Sequence, residues 1–159
     1  MNLIFKVATE ADIPILTDIM TRTFDDDTQK HLGEPKGGPP GYDTGEFFRQ
    51  WMIRENTSTG YKIMVNDKII GAFIVFISGK GNNTLGTIFI DPAYQDKGIG
   101  TRTWNFIEET YPQTKSWRLG TPSWAKRNHH FYEKKCGFKK VEERPEEGVG
   151  ISFIFQKNL

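Results

Sequence analysis

The chain has 159 residues, the length of about one domain, and 36% of them are apolar and 13% aromatic. Its 21 Lys and Arg nearly balance 20 Asp and Glu, so bulk charge calls for no nucleic acid or other polyanionic partner. A lone cysteine, Cys136, excludes an intrachain disulfide and a cysteine-rich zinc site, and the longest apolar run, Ile69 to Ile77, is far short of the roughly 20 residues that span a bilayer.

The N-terminus has neither the basic segment nor the apolar length of a secretion signal, so the expected setting is cytoplasmic, with no membrane. Leu3 to Ala8 alternates and predicts a strand. Thr9 with Asp12 resembles a capping box, Pro14 suits a first turn, and Ile13, Leu16, Ile19 and Met20 predict a helix to about Phe24. Asp25 to Tyr42 is dense in glycine and proline and predicts a long loop, of the kind that is often functional. Thr44 then precedes a second helix with Phe47, Phe48, Trp51 and Met52 on its apolar face.

Tyr61 to Val65, a turn at Asn66-Asp67, and Ile69 to Ile77 predict a hairpin. After a turn at Gly79 to Asn83, a fourth strand runs from Thr84 to Ile90 and ends at Asp91-Pro92. Gly98 to Thr110 predicts a helix, Ser116 to Gly120 a strand, and Pro122 to Cys136 a helix stopped by Gly137. Strands at Phe138 to Glu142 and Ile151 to Phe155 close the chain, joined by an acidic loop from Glu142 to Gly148. No repeat or linker divides it, so residues 1–159 are expected to form one domain, mixed α/β around a single sheet.

The segment from Asp91 to Thr101 carries the sharpest signal. A strand ends, a turn follows, and Gly98 and Gly100 open a helix. A helix N-terminus offers unpaired N–H groups and a positive dipole end, which suit a phosphate that can reach the backbone. On its own a G-x-G pair is equally an ordinary tight turn. It is not a Walker loop, because no Gly-Lys-Ser/Thr follows, nor the dinucleotide fingerprint, because the third glycine is missing.

In context, the segment resembles the central motif of the GNAT superfamily of acetyl-CoA-dependent N-acetyltransferases, Gln/Arg-x-x-Gly-x-Gly/Ala after a strand. Gln95-Asp96-Lys97-Gly98-Ile99-Gly100 matches at every fixed position. The family's next motif is similar to Asn128 through Phe138, with Tyr132 four residues after the Asn and Gly137-Phe138 entering a strand. The resemblance implies an α/β (α+β) fold with a mixed, mostly antiparallel sheet of about seven strands. About four helices would pack on both faces, and strands four and five would splay to receive coenzyme A. It further implies that Ile88, Phe89 and Ile90 pair with the pantetheine arm, that amides of Gln95, Asp96, Lys97, Gly98, Ile99, Gly100 and Thr101 hold the pyrophosphate, and that Asn128 and Tyr132 lie near the thioester. Acetyl-CoA is the implied co-substrate, with no metal.

Transfer to an amine needs a base, an oxyanion donor and an acid. A lysine-like amine has a pKa of about 10.4, so only about one molecule in 2,500 is neutral at pH 7. Tyr132 is the candidate acid: a phenol is within about 1.5 pKa units of a thiol, a small barrier if the groups meet. Its competing role is a buried aromatic whose hydroxyl merely finds a partner. A main-chain N–H near Phe89 or Ile90 is the expected oxyanion donor. The fourth strand holds no carboxylate, so the base stays open among Asp25, Asp26, Asp27, Glu34 and a water chain.

Asp26, Asp27 and Trp124 are candidate acceptor contacts, the aspartates equally a solvated helix end. His31, His129 and His130 have the right titration range for a base, but a surface role is the expectation for each. Trp104 and Trp51 fit core packing, Lys126, Arg127, Lys134 and Lys135 a solvated helix face from which Lys126 or Arg127 could meet phosphate, and Cys136 a small core residue. The expected function is acetyl transfer to a primary amine, with a possible homodimer. A non-catalytic acyl-CoA-binding or sensing module and a nucleotide-binding interaction domain are the competing readings.

Overall fold

Two apolar faces on one strand organise the molecule. In the computed structural model, which describes residues 1–159, β3 (Lys68–Phe76) buries Ala72 and Ile74 on one side of the sheet and Phe73 and Val75 on the other. Side chains alternate across a strand, so such a run needs cover on both faces.

The sheet has seven strands in the order β1-β2-β3-β4-β5-β7-β6. They are β1 (Leu3–Val7), β2 (Ser58–Val65), β3, β4 (Asn82–Ile90), β5 (Ser116–Pro122), β6 (Lys139–Glu146) and β7 (Gly150–Asn158). Every neighbouring pair is antiparallel except β4 with β5. One face is covered by α1 (Ile13–Leu32) and α2 (Glu46–Phe48, continuing as a π-helical stretch Arg49–Arg54), through Leu16, Met20 and Phe48. The other is covered by α3 (Ile99–Thr110) and α4 (Lys126–His130, continuing as a π-helical stretch Phe131–Cys136), through Trp104, Ile107 and Tyr132. This is the mixed seven-stranded sheet, covered on both sides, that the sequence implied.

The feature that matters for function is where β4 and β5 part. They pair only from Asn82 to Thr84 against Ser116 to Arg118. Beyond that point β4 has a partner on the β3 side alone, and the sheet opens into a cleft.

Several boundaries differ from the sequence expectation. α1 runs on past Phe24 to Leu32, so Asp25, Asp26 and Asp27 lie inside a helix rather than after it. It ends where Gly33 takes φ 69°, a left-handed turn that glycine adopts without a Cβ clash. Gly45, not Thr44, stands at the start of α2, although the Thr44 hydroxyl accepts a hydrogen bond from the Glu46 N–H at 3.3 Å. Helix α4 begins at Lys126 rather than Pro122, because β5 continues to Pro122. β6 extends to Glu146, so the acidic loop is in large part strand. Trp104 and Trp117 are core residues, but Trp51 is 38% exposed. No helix is long and apolar enough to cross a membrane.

Candidate functional site

At the end of β4 the Asp91 carboxylate accepts the Ala93 N–H at 3.0 Å and pairs with Arg22 of α1 at 2.6 Å, which fixes the exit of the chain from the sheet. Gln95 donates from Nε2 back to the Ile90 carbonyl at 2.9 Å. Asp96 and Gly98 then take φ 60° and 78°, and α3 begins, its first bond running from the Arg102 N–H to the Gly98 carbonyl at 3.1 Å. The N–H groups of Asp96, Lys97, Gly98, Ile99, Gly100 and Thr101 therefore donate to nothing in the protein. Six successive free donors at the positive end of a helix make an anion cradle.

The two glycines serve different ends. A Cβ at Gly98 would meet nothing within 4 Å, so glycine is there for its φ, and the outer face of the loop is open. A Cβ at Gly100 would meet the Phe131 ring at 3.1 Å, so glycine there lets the first turn of α3 approach α4.

Arg127 of α4 ties the loop down. Its guanidinium donates from Nη1 to Gln95 Oε1 and from Nη2 to Asp96 Oδ1, the latter at 3.0 Å. Asp96 is 86% exposed in its side chain, so the ion pair adds less than about 1 kcal/mol of stability. Its consequence is geometric: one side chain holds both residues that lead into the free amides. Lys126 is exposed and makes no such contact.

The open edge of β4 points the same way. The Asp91 N–H donates to the Ile70 carbonyl at 2.7 Å, and alternation along an antiparallel ladder then turns Phe89 toward Ala72 of β3. The main-chain groups of Ile88 and the Ile90 N–H face the cleft instead. Of the two oxyanion donors expected from sequence, Ile90 is thus the one on the open side.

Between the parted strands lies a cavity of about 730 Å³, walled by Leu85 to Ile88 of β4 and Leu119 to Pro122 of β5. Asn128 and Tyr132 both reach its wall. Tyr132 is only 8% exposed, its hydroxyl makes no hydrogen bond within the protein, and burial, with the neighbouring Cys136 adding to it, holds the phenol well above its ordinary pKa. Thr121, 5% exposed, also lines the cavity, and its hydroxyl is buried with no partner.

The three consecutive aspartates separate. Asp25 accepts the Tyr42 hydroxyl at 2.6 Å and the Gly37 N–H at 3.1 Å, pinning the loop after α1. Asp26 pairs with Lys30 at 2.9 Å and does not line the cavity, which corrects its candidacy as an acceptor contact. Asp27 alone faces the cavity, with no ion pair or hydrogen bond. Burial raises its pKa above the usual carboxylate value, against the opposing pull of His31 and Arg127 and with a push from Asp26.

Trp124, Trp51 and Glu34 line the cavity too. His31 is exposed beside Trp124, its ring 6.0 Å away, and His130 is exposed. The ring of His129 is engaged by the Pro122 carbonyl at 2.9 Å and packs against Phe153. Cys136 is buried, and burial pushes its thiol up to about 12, which removes it as a nucleophile. Thr121, Glu146 and Glu147 also line the cavity and went unnoticed in the sequence reading. Only the fold brings the tip of the β6–β7 hairpin to it.

Residues 18–138 match the Acetyltransferase (GNAT) family. The protein YrkN of Bacillus subtilis (strain 168) is 32% identical over 142 residues, which is 89% of this chain and 75% of that protein. In structure the chain is similar to an acetyltransferase from Thermus thermophilus, with a TM-score of 0.79 at 14% identity over 100% of this chain and 98% of that one. It is similar as well to the PaiA N-acetyltransferase from Thermoplasma acidophilum in complex with coenzyme A, with a TM-score of 0.76 at 17% identity over 100% of both chains.

Proposed function

This chain belongs to the acetyltransferase (GNAT) family, and from that premise we propose that it transfers an acetyl group from acetyl-CoA to the primary amine of an acceptor, with residues 1–159 acting as one catalytic domain. One observation carries the reading: six unpaired N–H groups, residues 96 to 101, continue from a stretch of β4 edge that no strand covers. The two fit one ligand that joins a diphosphate to an extended amide chain.

The diphosphate rests on the amides of Asp96 to Thr101, with Gln95 shaping the loop from behind. The amide chain adds to the exposed edge at Ile88 and Ile90, as a peptide adds to a sheet. Asn128, whose side chain makes no hydrogen bond in the protein, is free to orient that chain from α4. Acetyl-CoA, when bound, supplies an acetyl group activated as a thioester.

The residues around the cavity then divide the work. Asp27 accepts the proton that the attacking amine gives up, directly or through one water, and its raised pKa makes it a better base than an ordinary carboxylate. A main-chain N–H on the open side of β4, beyond those that hold the amide chain, stabilises the carbonyl oxygen as charge builds on it. A C–N bond forms as the C–S bond breaks, and the Tyr132 hydroxyl delivers a proton to the departing sulfur. Burial keeps that phenol protonated across the whole neutral range but makes it a weaker acid than an ordinary tyrosine, so transfer requires the sulfur within direct hydrogen-bond reach.

The test is an amine panel with mass detection of acetylated product, run beside Tyr132→Phe. Loss of a positioned acid predicts a fall in kcat of about 100-fold, larger than any loss of coenzyme A affinity. Full kcat in Tyr132→Phe would remove the residue from this role. A non-catalytic acyl-CoA-binding module is the second reading, favoured by the lack of a carboxylate on β4. Tight binding of coenzyme A with no amine acetylated would select it.

A further inference from the structure

The cavity is charged with one sign. Its wall carries Asp27, Glu34, Glu146 and Glu147 and no Lys, Arg or His, although the chain as a whole has net charge +1. The carboxylates come from three places: Asp27 from α1, Glu34 from the segment after it, and Glu146 with Glu147 from the tip of the β6–β7 hairpin. Asp27 is half-buried, whereas the other three are exposed at the mouth. No basic side chain pairs with any of the four, and Glu146 is held in place by the Ser152 hydroxyl.

Like charges lining one cavity repel, weakly among the three exposed carboxylates that solvent screens and more strongly at half-buried Asp27. A cation entering the cavity relieves it. Trp51 and Trp124 add aromatic surface of the kind that attracts ammonium groups.

We propose that the acceptor is a polyamine-like molecule with at least two ammonium groups, one losing its proton at Asp27 to react and another held at the cavity mouth by Glu34, Glu146 and Glu147. This rests on the reading of the cavity as the acceptor side of an acetyltransferase. The reason for a second charge is kinetic. The attacking nitrogen has lost its proton when it attacks and regains only partial positive charge as the C–N bond forms, so the mouth carboxylates gain less from it in the transition state than from a full ammonium. A second ammonium stays charged throughout and keeps their attraction where it lowers the barrier.

Hexylamine and 1,6-diaminohexane have the same reach and differ by one ammonium. Acetylation of each is measured at low and high salt, and binding of each to the coenzyme A complex by calorimetry. The diamine should show at least a tenfold higher kcat/KM at low salt. The ratio should fall toward unity at high salt and in the Glu34→Gln, Glu146→Gln, Glu147→Gln triple variant, whose changes lie on exposed side chains. Equal kcat/KM for the two amines, or a ratio that survives the triple variant, overturns the proposal. If coenzyme A binds but neither amine is acetylated, the transferase reading fails, and calorimetry decides this proposal alone. Tenfold tighter diamine binding supports it, and equal affinity overturns it.

Discussion

Asp25, Asp26 and Asp27 are chemically identical and adjacent, yet the fold gives them three roles. Asp25 is satisfied by Tyr42 and Gly37, Asp26 by Lys30, and Asp27 by nothing. An unpaired, half-buried carboxylate has a consequence for stability. Its folded pKa lies above its unfolded one, so between the two values the native state holds a proton that the unfolded chain has released. Stability therefore falls as pH rises through that window, and the deficit is absent below the unfolded value of about 3.9. Asp27→Asn should melt above wild type at pH 7 in scanning calorimetry, with the difference shrinking toward pH 3, and should lose at least about tenfold in kcat/KM. A variant that is both less stable and fully active would show that Asp27 is structural. None of this was legible in the sequence, where a run of three acids offers no ground for choosing one.

At the scale of elements, the loop and its helix were legible because local rules agree there: a strand, an Asp-Pro exit, a glycine in a left-handed turn, then an amphipathic helix. The end of α1 was not legible. After Phe24 its apolar spacing fades, and the residue that anchors its last turns is Thr28, whose hydroxyl donates to the Gly37 carbonyl at 2.9 Å. The π-helical stretches of α2 and α4 also escaped, and Trp51, in the first of them, lies on the cavity wall rather than in the core.

The link from α4 to the loop through Arg127 joins residues 31 and 32 positions apart and is visible only in three dimensions. Arg127→Ala should free Gln95 and Asp96 and raise the dissociation constant for coenzyme A about tenfold, the size of one charge-assisted hydrogen bond. Because the pair is exposed, Tm should barely move. Unchanged coenzyme A affinity by calorimetry would show the clamp to be incidental.

For the whole molecule, the succession of strands and helices follows from patterns in the sequence, and the parting of β4 from β5 from the family resemblance that its motifs carry. The acidic cavity does not, because Glu34, Asp27 and the Glu146–Glu147 tip converge from segments more than a hundred residues apart in the chain. A balanced net charge conceals it. Free amides, an uncovered strand edge and a cavity with a phenol on its wall form one path, running from the start of α3 along β4 into the cleft. A crystal structure with coenzyme A bound should find the diphosphate oxygens on the amides of residues 96 to 101 and the pantetheine amides on Ile88 and Ile90. Coenzyme A seated elsewhere, with those amides facing only solvent, would refute the path and the chemistry drawn from it.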